Sequence, residues 1–202
     1  MNPEILMEEA MRFGASDARV IRAADIPVED AIVEMCGPPG CDGYGKSANC
    51  PPFAMTPEEA RIWISRFDRA VFFKIDVEPE LLFSPAQFKP FEDIFGIVSR
   101  LEHRAMEWGW KDVTGLGAGS CKPVFCPDAP CAALADGGKC RFPDLARPSM
   151  EAIGINVFKL AESVGWPIYH ITRDTDPMEI SSALLAGIVI VGARPPRAEG
   201  IR

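Results

Sequence analysis

Ala70-Val71-Phe72-Phe73-Lys74-Ile75-Asp76-Val77 is the stretch on which the fold turns. Its β-branched and aromatic residues read as a strand, and a proline-rich link follows it. A long helix is then expected from about Phe88 to Trp108, closed by Gly109. On the N-terminal side, Thr56-Pro57-Glu58-Glu59 marks a helix start. Thr56 can accept a first-turn amide, Pro57 sits where its missing N–H is harmless, and Glu59 can close a capping box. That helix should reach about Phe67. Further back, the pattern predicts a helix over Pro3–Phe13 stopped by Gly14, a strand over Ala18–Arg22, and a weaker strand over Ala31–Met35. Downstream it predicts strands at Val113–Ala118, Ile168–Thr172 and Ser182–Val191. A helix opened by Pro148-Ser149-Met150-Glu151 should run to Val164 before Gly165. Helices alternating with strands predict an α/β fold: one domain over residues 1–202, a mixed sheet with flanking helices, and two Gly/Pro-rich cysteine loops.

Those loops carry the chemistry. Cys36, Cys41 and Cys50 follow C-x4-C-x8-C, and Cys126, Cys131 and Cys140 repeat that spacing with Cys121 ahead of them. Disulfide frameworks belong mainly to small secreted chains with even cysteine counts, whereas this chain has 202 residues and seven cysteines. Met1–Gly14 lacks the basic region, apolar core and cleavage site of a signal peptide. The longest apolar run, Ala183–Ala193, is too short to span a bilayer as a helix. A cytoplasmic protein with reduced or metal-bound thiols is expected.

Thiolates are soft ligands, so a cysteine-only set selects zinc or iron–sulfur over calcium, magnesium or manganese. Structural zinc favours C-x2-4-C knuckles in two short pairs, and no C-x2-C pair occurs here. Spread cysteines in glycine-rich loops suit a cubane, whose sulfides and thiolates accept backbone N–H bonds. A domain of this length, 48% hydrophobic, needs no metal to build its core, which turns the expectation from staple to chemistry. Four cysteines saturate a cubane. Three leave one iron open, which makes Cys36–Cys50 the reactive candidate and Cys121–Cys140 the electron-transfer or structural one. Lys46, Lys122, Lys139 and Arg141 lie within a few residues of cysteines and would steady thiolate charge. Tyr44, Lys46, Ser47 and Asn49 supply polar groups beside the open position.

Several other chemistries are excluded. Net charge of −8, pI near 4.9 and no run of five Lys or Arg argue against a nucleic-acid surface. Gly40–Ser47 matches the G-x4-G-K-[ST] phosphate loop, but Cys50-Pro51-Pro52 would break the helix that such a loop requires. Gly115-Leu116-Gly117-Ala118-Gly119 lacks dinucleotide-loop spacing. His103, in the expected long helix, and His170, in a strand candidate, are the two histidines; each reads as a packed or surface residue, with completion of the three-cysteine site as the alternative for either.

Gly43-Tyr44-Gly45-Lys46-Ser47 with Cys50-Pro51-Pro52, Cys140-Arg141-Phe142-Pro143 and Arg147-Pro148-Ser149-Met150-Glu151-Ala152-Ile153-Gly154-Ile155 resemble a prokaryotic family of predicted metal-binding proteins. The resemblance covers most of the chain, and the R-P-S-M-E-A-x-G-I segment is its most specific part. It implies cysteine-bound metal, iron–sulfur in an anaerobic setting, and no particular substrate. Its motifs carry over most firmly onto Cys36, Cys41, Cys50 and Cys140. Read independently, Arg147 and Glu151 form an expected structural pair holding a helix against the second cysteine loop.

The expected function is therefore that of a protein binding one or two [4Fe-4S] clusters through Cys36, Cys41, Cys50, Cys121, Cys126, Cys131 and Cys140. Electron transfer with a redox partner protein, or an accessory redox enzyme, follows from it. The alternatives are a zinc-stabilised interaction module and a metallochaperone.

Overall fold

Strand β2 (Arg69–Val77) lies between β1 (Asp17–Arg22) and β4 (Ala183–Val191), and β4 carries β3 (Val113–Leu116) on its other edge. In the computed structural model, which describes residues 3–135, 137–172 and 174–192, Val71 stands opposite both Val20 and Val189, and Ile188 opposite both Phe72 and Leu116. The expected strand at Ala70–Val77 is thus one of the two inner strands of an α/β fold, β4 being the other. Ala193, the end of the long apolar run, and Met1 lie outside the described residues.

Both faces of this sheet are covered. Val71, Phe73 and Val189 pack with Leu6 and Ala10 of α1 (Glu4–Arg12) and with Ile94, Ile97, Val98 and Leu101 of α4 (Lys89–Glu107). On the opposite face, Phe72, Ile188 and Ile190 pack with Ala60 and Ile64 of α3 (Pro57–Ile64) and Leu160 of α6 (Val157–Ser163). A strand buried on two faces needs apolar residues at successive positions, which is why Ala70–Phe73 shows no alternation and is 0% exposed throughout. The capping box at Thr56 forms as expected: the Glu59 amide donates to Thr56 Oγ1 at 3.3 Å and the Thr56 amide to Glu59 Oε2 at 2.8 Å.

The mixed sheet is corrected. All three strand pairings are antiparallel, and the parallel pairing among the described residues is the isolated bridge Gly117–Ser149. Helix α4 does connect two strands of like direction, β2 and β3, because each runs against β4. Strand β4 is inserted between them, so the crossover leaves no parallel neighbours. Helix–strand alternation reveals a crossover but not which strand fills its gap.

Three local expectations are also corrected. Ala31–Met35 is not a strand but belongs to a short helix, α2 (Asp30–Glu34). Val28 is bridged to Ile155, and the Glu29 amide donates to Gly154 O at 2.8 Å, so the segment is anchored to the Gly154–Ile155 turn instead of pairing in the sheet. The helix expected from Pro148 is broken in two. Residues Glu151–Ile153 make a single 3-10 turn ended by Gly154 at φ 92°, and α6 starts anew with Asn156 Oδ1 accepting from the Lys159 amide at 3.0 Å. A side chain at Gly154 would meet Glu29 O at 3.0 Å, so close packing against the chain before α2 adds to the left-handed turn in demanding glycine. Ile168–Thr172 is irregular and lines a surface cleft instead of joining the sheet.

Candidate metal centre

Beyond β3 the chain leaves the sheet pressed onto α4. The Gly117 amide donates to Pro148 O at 3.0 Å and Gly117 O accepts from Met150 N at 3.2 Å, tying the strand exit to the segment after the second cysteine loop. A Cβ on Gly117 would stand 2.5 Å from the Phe95 ring. This close approach delivers Ser120 and Cys121 to the start of α5 (Cys121–Phe125), where Ser120 Oγ accepts from the Lys122 amide at 3.3 Å.

Cys121, Cys126, Cys131 and Cys140 all line one cavity of about 250 Å³. Its wall includes Phe125 and Phe142, stacked at 5.3 Å between ring centroids, and Phe125 also meets Phe95 of the core at 5.4 Å. The cavity is thus an apolar pocket that reaches the core through Phe95 and is lined by four cysteines. Hydrogen-bond donors point at those sulfurs. Asn49 Nδ2 donates to Cys121 Sγ at 3.4 Å, Ser47 Oγ lies 3.3 Å from the same sulfur, and the Phe142 amide donates to Cys140 Sγ at 3.4 Å. Burial pushes the Cys131 thiol up, but hydrogen bonds from the Ala48, Ala133 and Leu134 amides and Ser47 outweigh it and lower the thiol below its ordinary value.

Cys36, Cys41 and Cys50, the first group in the chain, line a separate cavity of about 260 Å³, the first cavity, together with Tyr44, Ser120 and Glu151, the four-cysteine one being the second. The Gly43 amide donates to Cys41 Sγ at 3.3 Å, and the Cys50 thiol donates to Ser120 Oγ at 3.3 Å. Burial pushes the Cys36 thiol up to about 11, with Cys41, Glu151 and Cys50 adding to the rise. The Cys50 thiol is raised chiefly by burial; Ser120 opposes the shift, while Cys121, Cys41 and Cys131 reinforce it. Cys50 lines the first cavity and bonds Ser120, the residue before Cys121, which brings it beside the second group.

The loops exchange their polar residues. Ser47 and Asn49, expected beside the three-cysteine site, face Cys121 of the other one, and Ser120 of the second loop serves Cys50 of the first. Tyr44 stays with the first cavity, and Lys46 is exposed. Of the expected cations, Lys122 and Arg141 line the four-cysteine cavity, whereas Lys139 is exposed. Lys122 holds the carbonyls of Cys126 and Pro127, and Arg141 donates to Pro130 O at 2.7 Å, so both brace the loop backbone.

The expected Arg147–Glu151 pair does not form. Arg147 instead donates to Glu102 Oε2 through Nε at 2.9 Å and Nη2 at 2.7 Å, because α4 brings a buried carboxylate closer than the broken 148–164 helix does. His103 is exposed on α4, and His170 packs near Phe158 with 5.7 Å between ring centroids; neither lines the three-cysteine cavity. Glu151 does, and residue-type reasoning missed it. The signal available was Gly154, which stops a helix opened at Pro148 after little more than one turn and so frees Glu151 from a regular helical face. Part of the Glu151 side chain is accessible, yet its Oε2 is sealed and makes no hydrogen bond, and burial raises its carboxyl above the usual range against opposing bonds from its own amide and Ser149. Glu151, Phe91, Ala118 and Leu185 also line a cleft of about 990 Å³ that runs past Tyr169 and His170, so the first cavity and the cleft share a wall.

All seven cysteines are free thiols. Among the described residues no group of three or more His, Cys, Asp or Glu is arranged to hold a single metal ion. No described helix is long and apolar enough to cross a membrane. No curated protein and no solved structure matches the chain. A family model, described as predicted metal-binding protein (DUF2284), matches residues 19–186 and agrees with the resemblance carried by the cysteine and R-P-S-M-E-A motifs. The chain belongs to this family of predicted metal-binding proteins.

Proposed function

We propose that the protein holds two [4Fe-4S] clusters, one in each cysteine cavity, and serves in electron transfer with a partner protein. The observation that carries this reading is the second cavity: four cysteines around about 250 Å³ of apolar space, with amide and side-chain donors directed at their sulfurs. A single ion needs far less room, since a water molecule occupies only about 30 Å³ of liquid. Hydrogen bonds to sulfur and partial exclusion of solvent are the means by which a protein sets a cluster's potential.

Cys121, Cys126, Cys131 and Cys140 would hold one cluster, and Cys36, Cys41 and Cys50 the other; such clusters supply one-electron transfer. Around them, Ser47, Asn49 and Phe142 fix the sulfurs, Phe125 and Phe142 exclude water, and Lys122 and Arg141 hold the loop in shape. Exposed Cys41 brings the first cavity to the surface, where a partner would exchange electrons. A reducing cytoplasm suits seven unpaired thiols.

Anaerobic purification with iron, acid-labile sulfide and zinc analysis tests the reading. Eight irons and eight sulfides per chain are expected, about four of each per cubane. Colourless protein with stoichiometric zinc and no sulfide would replace it with a zinc module. Cys126→Ser should remove one spectroscopic signal and Cys36→Ser the other; loss of both signals from either variant, still folded, would refute two independent sites.

A further inference from the structure

The three-cysteine cavity lacks a fourth thiol, and Glu151 is the one carboxylate or imidazole among the described residues that line it. We propose that the Glu151 carboxylate is the fourth protein ligand of the metal centre held by Cys36, Cys41 and Cys50.

One buried atom is otherwise unexplained. Glu151 Oε2 is enclosed and has no hydrogen-bond partner, the single such side-chain atom among the described residues. A buried carboxylate without a partner is costly, so one that persists needs a counterpart. The cation expected to supply it is engaged elsewhere, because Arg147 is held by Glu102 at 2.7 Å. The thiols around Glu151 worsen matters, for that of Cys36 responds to it as to a negative charge. Three cysteines and a carboxyl share one cavity, where their ionised forms would repel one another, and a multivalent metal centre would turn that repulsion into ligation.

Local backbone explains how the carboxylate gets there. The 3-10 turn Glu151–Ile153 is fixed at its start by the Gly117–Ser149 bridge and at its end by left-handed Gly154. The Ser149 hydroxyl accepts from the Ala152 amide at 3.2 Å and also bonds the Glu151 carboxyl, which leaves Oε2 as the oxygen without a hydrogen-bond partner on a residue that lines the cavity. A hydrogen bond to a ligating carboxylate is the usual way of orienting such a donor. Glu151 is also on the wall shared with the 990 Å³ cleft, so this ligand stands between the metal centre and that surface opening.

This inference rests on the cluster reading above, and its test separates the two. Full-length protein, reconstituted anaerobically with iron and sulfide, is compared with Glu151→Ala, Glu151→Gln and Glu151→Cys by iron and sulfide count and by EPR in water enriched in oxygen-17. The wild type should show no oxygen-17 broadening of the first-site signal, Glu151→Ala should gain it as water takes the position, and Glu151→Cys should abolish it while keeping four irons there. Broadening already present in the wild type, or a first-site signal identical in wild type and Glu151→Ala, overturns the Glu151 assignment and leaves the clusters standing. Wild-type protein without labile sulfide overturns the clusters themselves, and this ligand with them. A metal-free arm needs no cluster: because Oε2 has no partner, Glu151→Gln should unfold at the same or a higher temperature than the wild type. A lower temperature would make Glu151 a structural residue and refute its role as a ligand.

Discussion

Arg147 and Glu102 form a two-pronged pair, Nε at 2.9 Å and Nη2 at 2.7 Å from the same carboxylate oxygen, while the other oxygen accepts the Gly115 amide at 2.6 Å. Glu102 is 7% exposed, so this carboxylate depends on its partners. The pair joins α4, β3 and the chain leaving the second cysteine loop, whose carbonyls at Pro143 and Ala146 Arg147 also binds. Removing Arg147 by Arg147→Leu should destabilise the metal-free protein by about 3–5 kcal/mol, since it strands a buried charge. Urea unfolding measures this; Glu102→Gln, which keeps the Gly115 bond, should cost less. Equal losses would mean that the ion pair is not what matters.

Ser47 belongs to the first loop in sequence and to the second cavity in space. Ser47→Ala therefore should lower the reduction potential of the four-cysteine centre, by removing a donor to Cys121 and Cys131, and leave the three-cysteine centre unmoved. An EPR-monitored redox titration decides it: a shift confined to the three-cysteine signal would reverse the assignment.

The thiols should differ in reactivity when metal is absent. Both Cys36 and Cys131 are partly accessible, yet burial raises one and amide donors lower the other. Thiolate is the reactive form, so alkylation of metal-free protein near pH 8 should label Cys131 well before Cys36. Labelling of Cys36 should accelerate only as pH climbs from 9.0 toward about 11, because its folded-state value is raised and the neutral thiol persists across that window. Peptide mapping by mass spectrometry reads both rates, and equal rates at pH 8 would contradict the environments described.

Gly117 has no room for a methyl group, the Phe95 ring lying 2.5 Å from where Cβ would stand. Gly117→Ala should destabilise by about 1–3 kcal/mol through overpacking and displace Ser120 and Cys121 from their cavities. Thermal unfolding and cluster content should fall together. A stable variant with full iron would show that the strand exit does not position the site.

The cysteine grouping was legible because ligand spacing is local: Cys121, Cys126, Cys131 and Cys140 are joined by short loops and converge on one cavity. So were the Thr56 cap, which depends on residues three apart, and the apolar runs of β2 and β4, which report burial on both faces. Strand direction was not legible, because the place of β4 between β2 and β3 is decided by packing across the whole sheet. The same holds for the polar surroundings of the sulfurs. Ser47 and Cys121 are 74 residues apart, and Arg147 and Glu102 are 45 apart, so no window of sequence contains either pair. What the sequence by itself determined is which sulfurs group together. Which carboxylate faces three of them, and which pairs with arginine, was decided by the tertiary structure, because Gly154 and the Gly117–Ser149 bridge turn one side chain inward while α4 claims its expected partner.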